Sequence, residues 1–241
     1  MRSLLFALSL VVLGVFVSCS RDDDGNSREV STIPSTTIEG YSIAPIEVTM
    51  KYNQKQKFVI KNDKTGVLDS SFSWKISDEK RGTIDANGLL TAEKIGTFYV
   101  IATKNGKIVT SKVDVTPCET FFKEPSMIWG ATKKLIKSSE TRELAKETST
   151  TLVYKGENKF VNHVEYKFDN KGIMLSATAT FPTDPNSIYR VTTFFLERYE
   201  VFYYDQHMIY MKYLYEPIYL TSSIDSALGL YITYEYKKPK L

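Results

Sequence analysis

The sequence predicts an all-β sandwich followed by an α+β domain in which helices lie on an antiparallel sheet. Three observations lead to this fold class. Residues 41–116 contain short apolar stretches separated by glycine turns, as in a sandwich. Two later segments place apolar residues at helical spacing, and alternating strand patterns follow each of them. The chain has 241 residues, of which 42% are hydrophobic, so it is long enough for two cores.

The charge distribution argues against a nucleic-acid partner. The formal net charge is +3, and the lysines and arginines form no basic stripe along the sequence. Because binding to nucleic acid depends on such a stripe, this class of function has no electrostatic basis here.

Residues 1–18 are predicted to be an export signal. Arg2 supplies the positive start, and residues 4–17 form an apolar run. That run has the length of a signal-peptide core and is shorter than the roughly 20 residues of a membrane-spanning helix.

Residues 15–19 end in Ser18 and Cys19 and resemble the lipobox of bacterial lipoproteins. This resemblance implies that Cys19 carries a diacylglycerol, becomes the first mature residue and ties the protein to a membrane. Residues 19–38 are rich in Ser, Thr and Asp and predict a flexible tether. The acidic residues 22–24 resemble the export signal of Bacteroidetes surface lipoproteins, which implies an outer-membrane location facing the cell exterior.

Residues 39–116 contain the pattern of the sandwich. Residues 72–76 alternate strictly between apolar and polar, and Asn-Gly pairs at 87–88 and 105–106 indicate tight hairpin turns. The segments 74–77, 82–92 and 96–102 resemble the bacterial immunoglobulin-like domains of group 2. The resemblance implies a stalk or an adhesive module, with Trp74 either in the core or at a ligand platform.

Residues 117–241 predict the α+β domain. A helix is expected over residues 126–137 with Ser126 as its N-cap, then a polar connection to residue 151, and a second helix over residues 188–202. The remaining segments predict strands, at 151–155, 163–168, 173–181, 208–215, 218–222 and 228–236. The order of helices and strands suggests two α-β repeats.

This second domain has two resemblances that carry no function. Residues 129–132, 154–156 and 166–168 resemble C-terminal modules of other Bacteroidetes lipoproteins, and the repeat order is similar to that of the β-lactamase-inhibitor protein fold.

Tyrosines are concentrated in the second domain, where thirteen of the sixteen lie. Tyrosine combines a large contact area with a hydroxyl group, which suits recognition of glycans or proteins. High strand propensity and core packing are the other explanation. The candidate ligand-binding residues are Tyr203, Tyr210, Tyr213, Tyr215, Tyr219 and Tyr234.

The remaining chemical groups predict no catalytic residue, no metal site and no cofactor. His163 and His207 are far apart and lack ligand spacing, and the acidic residues Glu197, Glu200 and Asp205 have the spacing of ordinary surface carboxylates. Cys118 is expected to be a free, buried thiol at the domain boundary.

Ser226 lies in an Asp-Ser-Ala sequence that resembles the acceptor pattern of Bacteroidetes O-glycosylation. The resemblance implies a glycan on its side chain.

Together these features suggest a surface lipoprotein whose sandwich domain spaces a non-catalytic recognition domain away from the membrane. The expected ligand is a glycan or another protein at the cell surface. One alternative is an inhibitor or regulatory partner of a secreted enzyme, and another is a carbohydrate-active enzyme whose residues meet only on folding.

Overall fold

The computed structural model describes residues 40–204, 208–225 and 229–236. Residues 41–116 form nine short strands, in the region where the sequence predicts a sandwich. Their bounds are β1 Tyr41–Ala44, β2 Glu47–Lys51, β3 Lys55–Lys57, β4 Val59–Asn62, β5 Ser73–Ile76, β6 Gly82–Ile84, β7 Leu89–Ala92, β8 Gly96–Lys104 and β9 Lys107–Thr116.

These strands pack as small sheets around one core. A four-stranded sheet has the order β2-β9-β8-β5, a three-stranded sheet has the order β3-β7-β6, and β1 pairs with β4. Strand β2 runs parallel to β9, whereas the other pairs are antiparallel. Phe58, Leu90, Phe98 and Val113 are almost completely buried between the sheets. The predicted all-β, immunoglobulin-like N-terminal domain is confirmed.

The hairpin between β8 and β9 shows why an Asn-Gly pair predicts a tight turn. Asn105 and Gly106 have φ angles of 49° and 74°, so both central residues of the turn are left-handed. A two-residue turn of this kind matches the twist of paired strands and requires residues that tolerate positive φ. Asn-Gly is the pair that meets this requirement at the lowest conformational cost.

Residues after 117 form one antiparallel sheet and two short helices. The bounds are α1 Lys133–Ser139, β10 Leu144–Glu147, β11 Thr151–Lys155, β12 His163–Phe168, β13 Met174–Phe181, α2 Pro185–Leu196, β14 Tyr199–Tyr204, β15 Met208–Tyr213, β16 Tyr219–Asp225 and β17 Gly229–Glu235. The sheet order is β10-β11-β12-β13-β17-β16-β15-β14. Two four-stranded meanders therefore meet where β13 pairs with β17.

The expected α+β class is wrong, because the described part of this region is nearly all β. The first helix was expected over residues 126–137 but begins only at Lys133, with Thr132 as its N-cap. Gly130 has a φ of +78° and turns the chain just before it. The polar stretch expected to be a connection contains β10, an edge strand whose side chains are mostly exposed.

The second helix is displaced towards the N-terminus of its expected range. Asp184 caps α2 by accepting hydrogen bonds from the N–H groups of Asn186 and Ser187, and Pro185 takes the first turn. Proline suits that position because its missing N–H would be unpaired there anyway. The helix ends at Leu196, and the aromatic residues expected to extend it form β14, which pairs with β15.

The eight-stranded sheet has two unlike faces. One face, here called the helix side, packs Leu152, Tyr166, Phe181 and Tyr234 against residues of α1 and α2. The opposite face is here called the open face, since none of the described residues of the hydrophobic core cluster lies on it. Ser176, Thr180 and Tyr210 are nevertheless buried on this face. Neither described helix has the length and apolar character needed to cross a membrane.

Candidate functional site

The open face carries an unbroken row of hydroxyl groups. Residues directly opposite each other on antiparallel strands project to the same face. The strand register places five such residues side by side on five adjacent strands: Thr178, Thr233, Thr221, Tyr210 and Tyr203. At the usual strand spacing this row spans roughly 19 Å.

A second row runs beside the first. Thr180, Tyr231 and Ser223 lie opposite one another on β13, β17 and β16. The rows are two residues apart along each strand, which is roughly 7 Å. These eight residues of the two rows, all bearing hydroxyl groups, are called the hydroxyl field below.

Hydrogen bonds hold three of the four threonines of the field in place. The Oγ1 atoms of Thr178 and Thr233 are 3.0 Å apart across the strand pair. The Oγ1 atom of Thr180 is 2.8 Å from Nδ1 of His163, which lies on the same face. The field is therefore ordered and polar, and Thr180, at 2% exposure, is its buried member.

Aromatic rings extend the field at its β14 end. The ring of Phe202 is 5.8 Å from that of Tyr219 and 6.4 Å from that of Tyr210, while Tyr203 and Tyr210 are 5.4 Å apart. Tyr210 is only 9% exposed, whereas Tyr203 is 44% exposed. The buried ring of Tyr210 thus supports the exposed ring of Tyr203, which offers a contact surface at little entropic cost.

Charged residues flank the field in opposite-sign pairs. Nζ of Lys212 is 3.2 Å from the carboxylate of Glu200, and Nζ of Lys167 is 3.5 Å from that of Glu165. These pairs occupy the open face next to the field, on β14–β15 and on β12. The Glu235 carboxylate lies on the same face, opposite Tyr219 in the strand register. A ligand on the field therefore meets hydroxyl groups and rings, with two ion pairs and one further carboxylate beside them.

The six candidate tyrosines separate into three groups. Tyr203, Tyr210 and Tyr219 lie on the open face. Tyr213 and Tyr234 lie on the helix side, where Tyr234 is completely buried and Tyr213 packs against the same core. Tyr215 lies in the connection between β15 and β16. Only the first group forms part of the candidate site.

Tyr234 takes part in a buried cluster with Tyr199 and Glu124. Both tyrosine hydroxyls donate hydrogen bonds to the Glu124 carboxylate. The distance from the Tyr234 hydroxyl oxygen to the carboxylate oxygen is 3.2 Å. Exclusion of water raises the pKa of the Glu124 carboxyl group above its ordinary value. Burial, followed by the neighbouring Glu124 carboxylate, raises the pKa values of both tyrosines. The cluster belongs to the core and faces away from the open face.

Tyr215 contacts the N-terminal sandwich. Its hydroxyl donates to the Asp78 carboxylate, and Nζ of Lys80 lies 5.1 Å from its ring centroid. Burial and the hydrogen bond to Asp78 raise the pKa of Tyr215 to about 12. Lys80 also donates to the carbonyl oxygen of Leu214 at 2.6 Å. Tyr215 therefore contributes to the contact between the sandwich and the sheet domain.

Cys118 is free, as expected, but its predicted burial is wrong: the residue is exposed. The backbone N–H of Cys118 donates a hydrogen bond to the Glu197 carboxylate at 2.7 Å.

Trp74 packs against the sandwich core and also lines a cavity of about 220 Å³ with Phe58, Leu68 and Asn87.

Several predicted residues give no structural result. Cys19, Ser226, His207 and Asp205 lie outside the described residues. Within the described residues, no group of three His, Cys, Asp or Glu side chains is placed to hold a metal ion.

Sequence reasoning missed the threonines and Phe202. A pattern was present, because Thr178 and Thr180 are two positions apart within a predicted strand, and Thr221 and Ser223 are two positions apart at the end of the predicted strand 218–222. Such spacing places both residues of a pair on one face. Their alignment across the sheet depends on the register of four strand pairs, which the sequence does not specify.

The comparisons with known proteins concern the first domain. No curated protein matches this chain. Residues 37–117 match the family model described as the bacterial Ig-like domain (group 2), which covers all nine strands of the sandwich. The N-terminal sandwich is therefore a bacterial Ig-like domain of group 2.

Proposed function

We propose that this protein is a surface-exposed lipoprotein that acts as a non-catalytic binding module, with the open face as its binding surface. The hydroxyl field and its exposed aromatic end carry this proposal. The helix side already supplies a complete core, so the tyrosines of the open face are not needed to close one. An ordered face that combines rigid rings with small polar side chains is typical of recognition surfaces.

The Ig-like domain supports the same proposal. Domains of this family commonly take part in surface adhesion or binding. Here the sandwich contacts the connection between β15 and β16 through the hydrogen bond from Tyr215 to Asp78. In this proposal the Ig-like domain supports the sheet domain and presents its open face. Acylated Cys19 anchors the two domains at the exterior of the outer membrane.

The proposed cellular location can be tested separately from the proposed binding function. Cells expressing the full chain should incorporate labelled palmitate, and the variant Cys19→Ala should not. Protease added to intact cells should digest the protein. Labelling that persists in the variant would contradict the anchor, and full protection from protease would place the protein on the periplasmic side.

The binding role is tested by glycan arrays and by capture of surface proteins with the full chain. Replacement of Tyr203 by Ala should weaken whatever interaction is found about tenfold or more, because it removes the most exposed ring of the face. A hydrolase screen run beside these assays tests the alternative that the protein is an enzyme. If the protein hydrolyses a substrate and one carboxylate substitution abolishes this activity, the proposed non-catalytic role is wrong.

A second candidate is an inhibitor or regulatory partner of a secreted enzyme, and a different surface favours it. Val201, Tyr204, Ile209 and Ile224 are 37%, 76%, 44% and 62% exposed, and the register places them together on the helix side beyond α2. These four residues form the edge patch. Exposed apolar clusters of this kind mark protein interaction sites. If this candidate is right, Tyr204→Ala should abolish capture of the partner, and Tyr203→Ala should not.

A further inference from the structure

We infer that the ligand of the open face is a neutral polysaccharide chain lying across the strands, with its length along the row from Tyr203 to Thr178. The inference rests on the proposed function and gives the chemical class of its ligand.

The chemistry of the field specifies an uncharged ligand rich in hydroxyl groups. All eight residues of the field carry a hydroxyl and none is charged. A hydroxyl both donates and accepts hydrogen bonds, so a field of them is matched by a partner that does the same. The flanking cations are already paired with Glu165 and Glu200, and an anionic polymer would find no free positive charge in the field.

The shape of the field specifies an extended ligand. It spans five strands in one direction, roughly 19 Å, and at most two residues of a strand in the other, roughly 7 Å. A strip of these proportions is longer than one sugar ring and accommodates a single chain of several. The exposed ring of Tyr203 stands at one end of the strip, where the C–H face of a sugar can stack on it.

The composition of the field distinguishes this ligand from a protein. Five of the eight residues are threonine or serine, and residues of these two types are under-represented among those that dominate protein–protein binding energy. Protein interfaces are instead enriched in aromatic residues, Met and Arg around an apolar centre. On this sheet the edge patch fits that description better than the hydroxyl field does.

The direct test measures binding of the full chain, purified in detergent, to four neutral polysaccharides: amylopectin, xylan, mannan and dextran. Alginate serves as an acidic control. Tyr203→Ala and Thr221→Val remove a ring and a hydroxyl from the row while keeping strand-compatible side chains. The matched control is Tyr204→Ala, because Tyr204 is the next residue of the same strand, is more exposed and lies on the other face.

We expect at least one neutral polysaccharide to bind with little dependence on salt. Each field variant should raise its dissociation constant about tenfold, and Tyr204→Ala should leave it unchanged. Binding only of alginate, or loss of binding in Tyr204→Ala alone, would overturn the inference. Capture of a protein partner that depends on Tyr203, without any polysaccharide binding, would overturn the ligand class and leave the proposed function standing. If neither kind of ligand binds, both proposals fail.

Discussion

The side chain of Glu197 accepts a hydrogen bond from the backbone N–H of Cys118 at 2.7 Å. The same carboxylate accepts from the N–H of Glu119 at 3.2 Å and pairs with Arg198, and the Glu197 side chain is completely buried. Glu197 follows α2, whereas Cys118 belongs to the segment that leaves the sandwich. One buried carboxylate therefore fixes the boundary segment to the sheet domain.

The backbone around Glu197 holds the sandwich as well. The N–H of Ile95 donates to the carbonyl oxygen of Glu197 at 2.9 Å, and Nζ of Lys94 donates to that of Leu196 at 2.7 Å. Helix C-termini leave carbonyl groups without intrahelical partners, so the sandwich satisfies groups that α2 leaves open. We expect the sandwich and the sheet to move together and not as modules on a flexible linker.

Removal of the Glu197 carboxylate should destabilise the protein strongly. The substitution Glu197→Ala leaves the N–H groups of Cys118 and Glu119 without their acceptor. It also removes the carboxylate beside the Arg198 guanidinium, which keeps its hydrogen bonds to the carbonyl oxygens of Phe194 and Glu119. Breaking a buried pair on one side typically costs about 3 to 5 kcal/mol, and we expect a loss of about 3 kcal/mol in the free energy of unfolding. Urea denaturation measures it.

The matched control is Glu200→Ala, three residues further along. Glu200 pairs with Lys212 on the surface, where both side chains are about two-fifths exposed. Such pairs contribute about 1 kcal/mol or less. If both variants unfold at the same urea concentration, Glu197 does not have the structural role assigned to it.

Glu124→Gln should change how stability depends on pH. Burial raises the pKa of Glu124 in the folded protein, so the fold favours the protonated carboxyl. This contribution to stability is fully present below the unfolded pKa, near 4.5, and is lost as pH rises through the higher folded pKa. Glutamine keeps an acceptor for Tyr199 and Tyr234 and does not ionise.

We therefore expect the stability of the glutamine variant, relative to the natural protein, to increase from pH 4.5 upwards and then to level off. Urea denaturation of both proteins between pH 4.5 and 8 gives this difference. A difference that stays constant or falls with pH would show that Glu124 is not held against ionisation.

Gly88→Ala should destabilise the Ig-like domain more than Gly106→Ala does. Both glycines have positive φ, of 82° and 74°. A Cβ at position 88 would lie 2.8 Å from the Phe58 carbonyl oxygen and from the Trp74 ring, whereas position 106 has open space. We expect losses of about 3 kcal/mol for the first and about 1 to 2 kcal/mol for the second, measured by thermal unfolding. Equal losses would contradict the close contact at Gly88.

The number of reactive thiols per chain should test both the acylation of Cys19 and the exposure of Cys118. The chain has two cysteines, Cys19 and Cys118, and Cys118 is exposed. Protein extracted from membranes should contain one reactive thiol per chain, and this thiol should react before denaturant is added. Two thiols would mean that Cys19 is unmodified, and one that reacts only after unfolding would mean that Cys118 is buried.

Local sequence patterns predicted much of the strand content. Thr151–Lys155 and His163–Phe168 have the predicted bounds, because alternation and the following turns mark both of their ends. The segment from residue 199 to 202 was misassigned to the second helix because Phe195 and Tyr199 also fit a helical period. Pairing with β15, a contact between separate segments, decides its structure.

The site was less predictable than the strands. A period of two places Tyr210 and Tyr213 on opposite faces of β15, yet nothing in that strand says which face is the core. Residues of α2 such as Phe194 and Phe195 decide it, since they cover the side on which Tyr213 lies. The tyrosine enrichment was visible in the sequence, while its division between core and open face depends on this packing.

The most direct test of the open face as the binding surface is oxidative footprinting of the full chain with and without its bound ligand. Tyr203 and Tyr204 are adjacent and exposed, and they lie on opposite faces of β14. We predict that the ligand lowers the oxidation rate of Tyr203 several-fold and leaves that of Tyr204 unchanged. Protection of Tyr204 with no change at Tyr203 would show that the ligand occupies the helix side instead.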